Sequence, residues 1–184
     1  MTKELNQMTD EELGQLFPII LSEPNPEWSF LFIAEKQVIA ETIGNDCIVR
    51  IEHIGSTSIP NLVSKPTIDI FVEISEQTDT EKIIAALTNT GYYYIHKPEN
   101  PPPHMMFAKG YTKHGFMGQT FHLHIRYPGD WNEIYFRDYL RNHPETAKEY
   151  AKLKRELAIK YRNNRGGYTS AKTEFVKQIT AIAK

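Results

Sequence analysis

Three side chains are placed where they could do chemistry together: Asp69, His122 and His124. Asp69 sits inside the apolar run Thr67 to Ile74, TIDIFVEI, between Ile68 and Ile70. An ionisable group there costs free energy unless it is paired or put to use. His122 and His124 are two apart in FHLHI, so on a strand their imidazoles share a face. One carboxylate and two imidazoles can chelate a single divalent ion, or they can pass protons as an acid/base set. Mg²⁺ prefers an all-oxygen cage, whereas imidazole favours Zn²⁺ or Mn²⁺. Glu73 on the Asp69 strand and His53 before the first turn are the groups that would complete a mixed metal site. The plainer alternative is a hydrogen-bonded pair of histidines with no chemical task.

A second set of residues has the make-up of an anion site. The stretch HIGSTSIP places Gly55, Ser56, Thr57 and Ser58 at the end of an apolar strand. Glycine admits close backbone approach, and the hydroxyls and N–H groups that follow suit a phosphate. Lys65 lies just before the Asp69 strand and adds positive charge. Arg126 continues the His122 and His124 face; it would meet a phosphate or form a salt bridge with Glu52 or Glu73. Lys172 stands one helical turn after Tyr168 and could contact the same ligand. Asp138 would tie Arg137 or Arg141 structurally.

These residues need a sheet and a set of helices to hold them. Thr9 before Asp10, Glu11 and Glu12 predicts a short capped helix. Trp28, Leu31, Phe32, Ile39 and Ile43 recur at helical spacing from Glu27 to about Ile43. Residues 47–54 alternate as a strand, and Ile68, Ile70, Val72 and Ile74 mark one face of the next. Thr78-Asp79 caps a helix through Leu87; Tyr92 to His96 is a strand, and KPENPPPH is a loop. His104 to Lys109 and Thr120 to Tyr127 predict a strand pair joined by a Gly-rich loop. Helices follow over Trp131 to Asn142 and Pro144 to Arg162. Asn163 to Gly167 is a linker, and a last helix begins near Thr169 or Ser170. The fold class is α/β (α+β): a mixed sheet with flanking helices and a helical C-terminal half, one domain over 1–184 with a core at about 26–128.

The strand–Gly-Ser–strand–Asp arrangement resembles the fingerprint of the nucleotidyltransferase superfamily, the polymerase-β-like fold. The fuller string HIGSTSIPNLVSKPTIDI is similar to the GrpB family within it, as are FHLHIRYPGDW, FRDYLRNHPETAKEYAKLKRELA and YTSAKTEFV. The resemblance runs from about Pro26 to Phe175. It implies a cleft between sheet and helices for a nucleotide or other phosphate-bearing ligand, with Arg137 closing it from the helical side. It also implies a divalent metal, Mg, Mn or Zn. The sequence departs from the superfamily where a second carboxylate is expected: Phe71 stands two residues after Asp69, and histidines replace the acid of the later strand.

The resulting expectation is transfer of a nucleotidyl group to a small hydroxyl or protein acceptor. Its rivals are a non-catalytic phosphate-binding module and a metal-dependent hydrolase using Asp69, His122 and His124. The chain has 184 residues, 40% hydrophobic and 24% charged, with a net charge of −2. Residues 1–46 hold 2 Lys/Arg against 9 Asp/Glu, and residues 148–184 hold 10 against 3. This basic tail is expected to lack interleaved exposed aromatics, which argues against nucleic acid as partner. One cysteine, Cys47, excludes an intrachain disulfide and fits a cytoplasmic setting. No apolar run approaches the roughly 20 residues of a membrane span.

Overall fold

Residues 67–74 are apolar on both sides except at Asp69 and Glu73, the pattern of a strand covered on both faces. The computed structural model, which describes residues 3–96 and 103–184, makes this run β2 (Thr67–Ile74), the second strand of a five-stranded mixed sheet. Its neighbours are β1 (Ile48–Ile54), antiparallel, and β5 (Gly115–Arg126), parallel. β4 (Met105–Thr112) pairs antiparallel with β5, and β3 (Tyr93–Ile95) with β4, giving the order β1-β2-β5-β4-β3. The loop expected over residues 97–102 lies outside the described residues. No helix among those described is long and apolar enough to cross a membrane.

One face of the sheet is covered by α2 (Glu27–Ile43) and α3 (Thr80–Asn89). Ile68, Ile70, Val72, Leu123 and Ile125 pack there against Trp28, Ile39, Ile83 and Leu87. The other face carries Asp69, His122 and His124. It meets α1 (Asp10–Leu16) on one side and the helices α4 (Asn132–Asn142), α5 (Pro144–Lys160) and α6 (Arg165–Ala183) on the other. These last three share a core of Leu140, Ala147, Tyr150 and Ile179, into which Ile59, Leu62 and Val63 of the β1–β2 connection insert.

Two local departures from the sequence pattern matter for function. The expected Gly-rich loop is instead the body of a long hairpin, with β4 and β5 running to Thr112 and Gly115. Gly110 (φ 86°) sits where the register shifts between Lys109 and Tyr111. This bulge turns Tyr111 toward the His122 side of the sheet, where strict alternation would have put it with Lys109. The expected linker over residues 163–167 is largely the first turn of α6. The Asn164 side chain accepts the Gly167 N–H at 2.7 Å, a cap that offsets the low helix propensity of Gly166 and Gly167.

Candidate functional site

Gly55 ends β1 with φ 68°, a conformation that favours glycine. A Cβ at this position would lie 2.2 Å from Asp69 Oδ2. The glycine and the acid are therefore one device: the turn closes over the carboxylate only because no side chain intervenes. Thr57 Oγ1 donates to Thr67 O at 3.1 Å and accepts from His53 Nε2 at 3.0 Å. Ser58 Oγ donates to Gly55 O at 2.6 Å. These hydroxyls are spent on holding the turn. Ser56 is half-buried and meets the Tyr150 hydroxyl. His53 is stacked on Phe32 at 4.8 Å, and burial pulls its pKa down to about 4. It is a neutral brace for the turn and does not join Asp69 in a ligand set.

The parallel β2–β5 register sets Asp69 opposite His122. His122 Nδ1 lies 3.0 Å from Asp69 Oδ1, and its Nε2 lies 2.9 Å from the Tyr111 hydroxyl. His124 Nε2 stands 4.0 Å from the same Asp69 oxygen. Burial pushes the Asp69 carboxyl up, but the His122 and His124 contacts together outweigh it and hold the group well below the usual carboxylate range. Burial lowers the His122 imidazole, and Asp69 only partly restores it. An ionised Asp69 accepts the proton on Nδ1, so Nε2 carries the lone pair and Tyr111 is the donor to it.

The expected metal set of Asp69, His122 and His124 does not fit an ion in this arrangement. Both nitrogens of His122 already have partners. Among the described residues no three His, Cys, Asp or Glu side chains could together hold a metal ion. Glu73, the other candidate ligand, is bound bidentately by Arg50 at 2.7 and 2.9 Å and accepts the Gly129 N–H.

The cations around Asp69 were only half visible in the sequence. Lys65 and Lys172 lie on the ring of Tyr168, at 5.8 and 4.3 Å from its centroid. Lys154, 2% exposed, donates to Val63 O and lies 4.9 Å from the Tyr150 ring. Burial pulls Lys154 down to about 6 and Lys65 and Lys172 down to about 8. Their mutual repulsion and Arg165 add to this, and Asp69 is the carboxylate that acts back on all three. None of the three forms an ion pair among the described residues. Lys154 and Arg165 carried no signal beyond a basic helical tail, since only tertiary packing turns them inward.

The other two arginines expected at the site are committed elsewhere. Arg126 lies four residues along β5 from His122, roughly 13 Å away. It donates to Met105 O and Ile125 O and lies 5.8 Å from the Trp131 ring, and the expected salt bridge with Glu52 or Glu73 does not form. Arg137 is buried and donates to Glu52 at 2.8 Å, to Asp138 at 2.7 Å and to His53 O at 3.0 Å. It clamps α4 to β1 through Nε and Nη1. Arg141 donates to Ser58 O and braces the turn from outside.

A cavity of about 950 Å³ opens over Lys65, Tyr111, His122 and Arg165, with Tyr93, Ile95 and Met106 as apolar walls. A family model described as GrpB protein matches residues 18–181. The chain belongs to the GrpB family. The glutamate-rich protein GrpB of Alkalihalophilus pseudofirmus is 39% identical over 165 residues, which cover 88% of this chain and 93% of that protein. A UPF0157 protein of Pseudomonas aeruginosa is 37% identical, over 86% of this chain but only 65% of its own length. The crystal structure of conserved protein GrpB from Enterococcus faecalis is 31% identical, with a TM-score of 0.76 over 89% of this chain and 96% of that one. In this GrpB protein the cavity has a further wall from residues before the matched region: Leu5, Asp10, Leu13 and Phe17. Asn163 Nδ2 donates to Gly14 O and Arg165 Nη1 to Phe17 O, both at 3.0 Å, docking α1 onto the start of α6.

Proposed function

We propose that this GrpB protein binds a nucleoside triphosphate by its phosphates and transfers the nucleotidyl group to a small hydroxyl-bearing or protein acceptor. One observation carries the reading: Lys154 is buried and Lys65 and Lys172 are half-buried around Asp69, none with an ion-paired acid among the described residues. An amine placed away from water without a paired acid is costly, whether it keeps its charge or gives up its proton. A fold retains such a cost where an anion of high charge repays it, and a triphosphate is that kind of anion. The Gly55–Ser56 turn offers backbone approach beside the lysines, and the Tyr93, Ile95 and Met106 walls offer an apolar seat for a base. The likeness of HIGSTSIPNLVSKPTIDI to the nucleotidyltransferase fingerprint agrees with this placement. Asp69 would orient the reacting groups through His122. The expected divalent ion has one carboxylate here and two imidazoles that do not complete its shell, so no step is assigned to it. A cytoplasmic setting, where nucleoside triphosphates abound, belongs to the same proposal.

The test is a thermal-shift and calorimetric series with ATP, GTP, CTP, UTP, tripolyphosphate and the free nucleosides. Triphosphates and tripolyphosphate should stabilise the protein while nucleosides do not. Lys172→Ala should weaken binding at least ~10-fold. Equal stabilisation by tripolyphosphate in a Lys65→Ala/Lys172→Ala variant would sink the reading.

A further inference from the structure

We infer that Tyr111 is a nucleophile that takes up the nucleotidyl group itself before passing it to the acceptor. This rests on the triphosphate reading above and deepens it. The Tyr111 hydroxyl donates to His122 Nε2 at 2.9 Å, and His122 Nδ1 lies 3.0 Å from Asp69 Oδ1. The order is nucleophile, base and orienting carboxylate, the arrangement that activates hydroxyls in unrelated hydrolases.

Three observations make the chain more than a chance contact. First, its proton positions follow from its chemistry: the ionised acid fixes the tautomer, and the tautomer leaves a lone pair aimed at the phenol. Second, Tyr111 reaches this face only through the bulge at Gly110, where a Cβ would lie 2.5 Å from Gln119 O. The strand gives up regular pairing to aim one phenol at one imidazole. Third, the phenol stands in the cavity with the cations. Tyr111 and His122 line it together with Lys65 and Arg165, whose guanidinium carbon is 5.7 Å from the Tyr111 ring centroid. Positive charge is thus beside the place where a transferring phosphoryl group would gather negative charge.

The step balances as follows. The Tyr111 phenol oxygen bonds to the α-phosphorus, and the bond from that phosphorus to the bridging oxygen of the β-phosphate breaks. Pyrophosphate leaves with the electron pair. The phenolic proton passes to His122 Nε2, and Asp69 stabilises the imidazolium. In the second half an acceptor hydroxyl oxygen bonds to the same phosphorus, the bond from phosphorus to the Tyr111 oxygen breaks, the acceptor's proton passes to water, and the proton held on His122 Nε2 returns to the departing phenolate.

The experiment incubates the full chain with each of the four nucleoside triphosphates, quenches in acid and measures intact mass. Expected is a gain of one nucleoside monophosphate residue, mapped by peptide sequencing to Tyr111, with one pyrophosphate released per chain. Tyr111→Phe should lower labelling at least ~100-fold, as should His122→Ala, while Tyr111→Phe keeps its melting temperature and its triphosphate-induced thermal shift. A wild-type chain that binds triphosphate yet gains no mass overturns the nucleophile and leaves the binding reading standing. An adduct that survives in Tyr111→Phe overturns it equally. No binding of any triphosphate overturns both.

Discussion

Arg137 and Lys154 are both buried cations in the helical half, and they are treated in opposite ways. Arg137, 6% exposed, meets Glu52, Asp138 and a backbone carbonyl, so its charge is answered by two carboxylates. Lys154 donates to one carbonyl, forms no ion pair, and feels Lys65, Lys172 and Arg155 against the single carboxylate of Asp69. The first region is built for cohesion, because a paired, hydrogen-bonded charge holds two elements in register. The second is built against cohesion, because like charges in a dry pocket repel. Burial therefore does not separate structural from functional charge here; the presence or absence of a partner does.

The contrast can be broken most forcefully at the clamp. Arg137→Met should cost ~3 kcal/mol by leaving Glu52 and Asp138 unanswered, seen as a lower denaturation midpoint, while triphosphate affinity changes less than ~3-fold. Lys154→Met should act with the opposite sign. Removing a buried amine that has no paired acid should raise stability by ~1–2 kcal/mol and weaken tripolyphosphate binding ~10-fold. A destabilised, fully binding Lys154→Met variant would erase the distinction between the two regions.

A smaller effect sharpens it through pH. Lys154 is lowered from its ordinary value to about 6, so between about 6 and 10.5 the unfolded chain holds a proton that the fold does not. Stability of the ligand-free protein should therefore rise with pH across that window and fall as pH drops toward 6. Lys154→Met should flatten the trend. Anion binding favours the charged lysines, so at pH 8 tripolyphosphate should bind with net proton uptake, read from calorimetry in buffers of different ionisation enthalpy.

The sheet was legible because its strands are pure in pattern: β2 and the second half of β5 alternate or stay apolar throughout, and the Gly55 turn and Asp79 cap stop and start elements where their chemistry requires. Asp69 and His122 could be paired from sequence because a strand fixes which side chains share a face. Tyr111 could not, since a bulge reverses the face and only the positive φ of Gly110 announces it. Arg165 was hidden by two glycines that read as a linker and are held helical by the Asn164 cap. Arg126 shares the His122 face as its position on the strand implies, yet it stands roughly 13 Å farther along β5.

The docking of α1 has an evolutionary consequence. A helix held by a few backbone contacts can be rewritten without disturbing the sheet's pairing, while the residues it presents still decide what shape of molecule can enter. Under the proposed function, ligand preference would diverge among relatives through the residues of this helix, leaving Asp69, His122 and Tyr111 untouched.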